Sequence, residues 1–452
     1  MRKARNGTVR IGCGSPDAEA RLNMGIDLAA HGDLDYLAMD TLSERTLPAA
    51  QMRRRKDPNA GFDSRANVMF SDLLSTCVEK GITMVGNMGG ANPAGAFGLA
   101  MEMAGAAGHK GLRIALITGD DVMDQVKRLD PILVNTGAPL SSVWGEVVSA
   151  NAYIGADPIV AALEDGADLV IGGRIADPSL FLAPLMFEFG WADNDWPRLG
   201  AGQMVGHLLE CGHHATGGNM ADPPYRVIPG LTHLGMPMGE VQANGDWVMT
   251  KLPTAGGVVD VLNCKAQLFH EVHDPANYLT PDVTADFSQV VFNQVAKDRV
   301  FGTGAGGTAR PENLKVLIGV MEGYIGEGEM TFAGPGAYTR AELAREVIRE
   351  RIAEDNPALD EVRIDFIGVN STFGPSAPAA SGDSPEVRLR FAGRTRDRAA
   401  AEWVTQEVHS LFFSVASGGG MRRDVREVLG MYTTYMPRSE LSLQVHVEEV
   451  GK

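Results

Sequence analysis

The chain has 452 residues, 44% hydrophobic and 21% charged, a soluble globular composition long enough for two or three domains. Lys plus Arg number 40 against 57 Asp plus Glu, and the net charge of −17 argues against nucleic acid or an anionic membrane as partner. The four cysteines form no C-x-x-C, no apolar run reaches membrane-spanning length, and Arg2, Lys3 and Arg5 precede a strand rather than a signal core, so a cytoplasmic protein is expected.

Strand and helix patterns alternate through the first 190 residues or so. Short apolar strands are predicted at 8–14, 34–40, 82–87, 112–118, 147–153 and 169–173, with helices at 18–30, 68–80, 95–108 and 158–165. This alternation predicts a mainly parallel sheet with helices on both faces, an α/β domain over residues 1–230. Its strands end in polar or Gly-rich segments, where active groups of such sheets collect. After about residue 225 the pattern changes. Asn244-Gly245 marks a hairpin within 239–251, and strands are read at 287–292, 299–304 and 314–321 as a second sheet. A helix at 338–353, strands at 362–369 and 387–391, and a long helix at 398–417 complete an α+β domain over 231–452. The Pro-, Ser- and Gly-rich stretch 374–385 reads as a loop.

The chemistry concentrates at 206–219. If this segment begins as a helix, His207, Glu210, Cys211 and His214 share one face, and Thr216-Gly217-Gly218 offers backbone amides just beyond. His207 and Glu210 suit proton transfer. The plainer alternative is a buried helix whose His and Glu hydrogen-bond the core, with Cys211 as a small hydrophobe. His207, Cys211 and His214 could also bind zinc with one position open. We assign no metal from the sequence, because such sites usually draw ligands from more than one element and Gly212 can break the helix before His214. His270-Glu271-x-His273 lacks the H-E-x-x-H spacing and reads as a helix end.

Three strand-end segments are candidate substrate contacts. Asn87, Gly89, Gly90 and Asn92 lie between a strand and a helix, as an anion cradle or a tight turn. Arg174 with Asp177 could hold a substrate carboxylate or close the loop as an ion pair. Asn151 ends another strand. Lys251 could meet a substrate anion or be a solvated strand end, and Asp282 sits at a turn tip.

Five motifs in order, Asn87-x-Gly89-Gly90-x-Asn92-Pro93, Ala150-Asn151-Ala152-Tyr153-x-Gly155-Ala156, Gly173-Arg174-x-x-Asp177, Gly206-His207-x-x-Glu210-Cys211 with Thr216-Gly217-Gly218, and Tyr278-x-x-Pro281-Asp282-Val283, resemble the acyclic terpene utilisation AtuA family over about residues 8–445. The resemblance implies catabolism of branched acids or acyl-CoA esters, with coenzyme A entering as part of the substrate. It also implies a small ferredoxin-fold partner subunit, since some members carry that domain and this chain stops without it; we further expect a homo-oligomer. The pattern has Gln at position 214, where this chain has His. The expected function is lyase or hydratase chemistry beside a carbonyl. Glu210 and His207 would move the proton, and Asn87, Asn92 and the Gly89 and Gly90 amides would steady the enolate. Cys211 as nucleophile of a hydrolase or transferase is the alternative, and a non-catalytic subunit is the third.

Overall fold

The computed structural model describes residues 7–377, 384–416 and 418–452. Arg2, Lys3 and Arg5, and much of the predicted 374–385 loop, lie outside them. The chain forms two compact units, Met1–Gly319 with Met431–Lys452, and Val320–Gly430.

The strands in chain order are β1 (Thr8–Ser15), β2 (Tyr36–Met39), β3 (Thr83–Gly86), β4 (Arg113–Thr118), β5 (Val147–Ala152), β6 (Leu169–Ile171), β7 (Pro237–Gln242), β8 (Trp247–Lys251), β9 (Tyr278–Leu279), β10 (Thr284–Asp286), β11 (Val291–Ala296), β12 (Arg299–Thr303), β13 (Gly306–Thr308), β14 (Asn313–Ala333), β15 (Glu361–Ile367), β16 (Glu386–Thr395), β17 (Gly418–Pro437) and β18 (Gln444–Glu449). The first unit is built on a ten-stranded sheet in the order β11-β12-β8-β7-β1-β2-β3-β6-β4-β18. Its centre, β1-β2-β3-β6-β4, is parallel. These strands are short and nearly continuously buried, as a sheet covered on both faces requires. Alternation sorts their side chains: Tyr36 and Ala38 of β2 enter one core, Leu37 and Met39 the other. Helices Ser179–Phe189 and Trp196–Glu210 pack in the first core; Asn23–His31, Leu74–Lys80 and Pro93–Ala106 pack in the second.

Two expectations are corrected here. Strands β11 and β12, read as part of a second sheet, instead join the β7–β8 hairpin, which pairs antiparallel with β1 and so extends the first one. Strand β5 leaves the parallel sheet and pairs with β14; just past its end, the Tyr153 amide donates to the Lys315 carbonyl at 2.9 Å.

In the second unit, helices Ala337–Asp355 and Arg398–Ser410 pack on a sheet ordered β15-β16-β14-β17. Strand β14 runs well past the predicted end at 321, through Gly326. A β-carbon at Gly326 would lie 2.0 Å from the Ala401 carbonyl oxygen, so this glycine serves helix approach rather than a turn. The last predicted helix ends at Ser410 and tightens into a 3₁₀ turn over Leu411–Phe413. No helix among the described residues is long and apolar enough to cross a membrane.

Candidate active site

Helix Trp196–Glu210 is buried on every side from Leu199 to Glu210. A helix sunk this deep should be apolar all round, yet it carries Gln203, His207 and Glu210. Each costs free energy unless it is bonded. Gln203 Nε2 donates to Asp282 at 2.8 Å. The His207 ring has 0% exposure and packs against both Tyr278 and Phe287, with centroids at 5.6 and 6.1 Å.

Both ring nitrogens of His207 are engaged. Nε2 is 3.2 Å from the Leu268 carbonyl oxygen and Nδ1 is 2.8 Å from Glu210 Oε1. A carbonyl only accepts, so Nε2 must carry its hydrogen. In the neutral ring Nδ1 is then an acceptor, and Glu210 must donate to it. Burial favours this neutral pair: it lowers the His207 pKa, and together with the charges of Asp177 and Glu271 it pushes Glu210 well above the carboxylate range. The other carboxyl oxygen, Glu210 Oε2, is buried and has no hydrogen-bond partner. A buried acid with one oxygen fixed and the other unpaired is poised to exchange a proton.

The helix ends at Glu210. Gly212, at φ 50°, turns the chain into a 3₁₀ turn over Gly212–His214. The single helical face therefore holds for His207 and Glu210, while Cys211 and His214 leave it. Cys211 is half-buried, and burial pushes its thiol pKa up. His207 has no ring nitrogen left to activate that thiol. Thr216 is fully buried with its hydroxyl donated to the Gly235 carbonyl at 2.8 Å. Gly217, at φ 101°, and Gly218 continue the turn, with the Gly217 amide given to His214 O at 3.1 Å.

A charged cluster is electrostatically linked to this pair. The buried guanidinium of Arg174 bonds the Leu42 carbonyl and Asp177, and stacks 4.3 Å from the Tyr153 ring centroid. The structure thus holds the Arg174–Asp177 ion pair of the sequence alternatives. Burial works against the charge of Arg174, but Asp177, Tyr153 and Asp40 outweigh it and raise its pKa. Burial and the Asp177 charge push Asp40 up, with Arg174 opposing; Asn87 Nδ2 donates to Asp40 at 2.8 Å. Burial also raises Asp177. Arg174 thus opposes the charges of Asp40, Asp177 and Glu210 together.

Other expected contacts are used inside the fold. The Gly89 amide goes to Gly172 O at 3.0 Å and the Gly90 amide to Asn87 O at 3.1 Å. Asn87 Oδ1 accepts the Thr41 amide at 2.7 Å. Asn92 caps its helix through Gly95 N at 3.1 Å and donates to Pro58 and Ala60 carbonyls. These donors are spent, so the segment is a tight turn rather than an open anion cradle. Asn151 donates to Asp120, which also accepts the Arg174 amide. Lys251 is buried, bonded to Ala255 O at 2.8 Å and 3.6 Å from Asp298. Asp282 accepts from Ala156 N, Ser179 Oγ and Gln203 and is locked by them.

Asp40 and Tyr153 join the Arg174 cluster, although in the sequence each is marked only by closing a predicted strand. His270, in a His-Glu-x-His segment without metal-motif spacing, gains a neighbour only through the fold. The His270 ring stands edge-on to His214 with centroids 5.0 Å apart.

A family model described as acyclic terpene utilisation family protein AtuA matches residues 9–447, nearly the whole chain. No curated protein matches, and neither does any solved structure.

Proposed function

Since the chain belongs to the acyclic terpene utilisation AtuA family, we propose that it is a lyase or hydratase of that catabolism, acting on a small branched or unsaturated acid or its coenzyme A ester. Membership implies the role in acyclic terpene utilisation. The reaction class rests on one observation: the buried His207–Glu210 pair with its unpartnered Glu210 Oε2.

Glu210 gives a proton to the carbon next to a carbonyl in the hydration direction and takes one in the elimination direction. The electron pair of the broken C–H bond moves onto the carbonyl oxygen as an enolate and returns to expel hydroxide, which takes the proton that the Glu210–His207 pair received and leaves as water. Leu268 holds the imidazole tautomer, so Nδ1 always faces Glu210 and can accept the second proton while Oε2 works. Arg174 supplies a buried positive charge that opposes the charges of these acids. The rings of Tyr278 and Phe287 shield His207 from water.

The test is proton exchange in deuterium oxide, followed by mass spectrometry on a panel of branched and unsaturated acyl-CoA esters and their free acids. The expected result is deuterium uptake next to the carbonyl with wild type and none with Glu210→Gln. Equal uptake by the two proteins would overturn the assignment, as would none with wild type across the panel.

A further inference from the structure

We propose that Cys211, His214 and His270 form a binding site for a divalent transition-metal ion, zinc by the chemistry of its donors. The inference does not rest on the role given to Glu210.

The three side chains come from two elements. Cys211 and His214 flank the turn that Gly212 makes at the end of helix Trp196–Glu210, and His270 follows helix Val261–Leu268. One donor atom from each lies within 4.8 Å of the other two. In a tetrahedral zinc site with Zn–N of about 2.0–2.1 Å and Zn–S of about 2.3 Å, donors are roughly 3.3–3.6 Å apart. Small rotations of three half-buried side chains close that gap. His214 Nδ1 is buried and has no hydrogen-bond partner, an unusual state for an imidazole nitrogen unless something else takes its lone pair. The neutral imidazole is the form that ligates a metal.

The donor set is soft and mixed. One thiolate and two imidazoles suit zinc and exclude calcium or magnesium, which take oxygen. Binding displaces the Cys211 proton to solvent, which offsets the burial that otherwise keeps the thiol neutral. Three protein ligands leave a fourth position for water or a substrate oxygen, the arrangement of zinc sites that do chemistry. Cys211 directly follows Glu210, so an ion there would stand beside the acid. Glu271, held at φ 61°, places its carboxylate 3.6 Å from His270 Nε2 and can orient that ring. His207 is not a ligand, since both its nitrogens are bonded elsewhere.

The experiment uses the full chain after chelation, titrated with cobalt(II) alone and then with zinc(II). The expected result is near-stoichiometric cobalt with a thiolate-to-cobalt charge-transfer band, which zinc abolishes. Cys211→Ser should lose the band, His214→Ala and His270→Ala should lose the stoichiometric metal, and the exposed neighbour control His273→Ala should keep both. A missing band in wild type would overturn the site, as would metal content unchanged in Cys211→Ser and His270→Ala. A wild-type readout covers variants that do not fold: zinc should protect Cys211 from iodoacetamide, mapped by peptide mass spectrometry. Labelling at the same rate with and without zinc would also overturn the proposal.

Discussion

Gly206 passes so close to Pro178 that a β-carbon at 206 would lie 2.5 Å from the Pro178 carbonyl oxygen. This approach seats the helix bearing His207 and Glu210 against the loop bearing Arg174 and Asp177. The obstacle is backbone, which cannot swing away as a flexible side chain would. Gly206→Ala should therefore destabilise the first unit by about 1–3 kcal/mol, as overpacking does, despite the better helix propensity of Ala. Thermal melting of the purified variant checks this; an unchanged or raised melting temperature would show that the helix can slide at no cost.

Glu210→Gln keeps the hydrogen bond that Glu210 makes. The amide N–H can donate to His207 Nδ1, so stability should stay within about 1 kcal/mol of wild type. Proton transfer cannot be kept, and turnover should fall by about 10²–10⁴-fold. Denaturant unfolding and the deuterium-exchange assay read the two effects separately.

Removing the charge of Arg174 strands its partners. Arg174→Met leaves the Leu42 carbonyl and Asp177 without their donor, in a pocket that also holds Asp40. The loss should be about 3 kcal/mol, the low end for a broken buried pair, because a third of the Asp177 side chain still reaches solvent. Arg174→Lys should recover only part of this, since an ammonium cannot reproduce both the fork and the stack on Tyr153. Urea midpoints of the two variants make the comparison.

One pH effect is set by the sheet rather than the site. Burial alone would raise the Glu240 carboxyl, but hydrogen bonds from Arg299 and the charges of Arg299 and Arg10 hold it below its usual value. An acid depressed on folding stabilises the protein above its unfolded pKa and loses that contribution as pH falls through the folded value. Wild type should thus melt higher than Glu240→Gln near neutrality, and the gap should shrink below about pH 4. A gap that stays constant with pH would mean the ionised carboxylate contributes nothing.

Much of this was legible in the residues, for identifiable reasons. The parallel centre declares itself through short apolar runs such as Thr83–Gly86 that end in Gly, Asn or Asp. The His207–Glu210 pair follows from spacing of three along a helix. Edge assignments did not follow, because nothing local to Val291–Ala296 says which sheet it joins; that is decided by its pairing with β12 and, through it, β8. Asn92 and Lys251 misled for a related reason. A polar side chain beside a loop looks available until the carbonyls that occupy it are located. His270 sits in a segment whose spacing fits no metal motif and becomes meaningful only when the fold sets it against His214.

Strand β18 pairs with β4 along the outer edge of the large sheet, Val445 opposite Ile117 and Val447 opposite Ala115. The partner strand is encoded only after the entire 320–430 unit. During synthesis β4 must wait with its outer backbone groups unpaired while that intervening unit is made. Such a delayed, long-range closure slows maturation and leaves a bare edge open to intermolecular pairing on the ribosome. The final dozen residues thus act as a latch on the nascent chain, and their loss would be felt first as aggregation during expression.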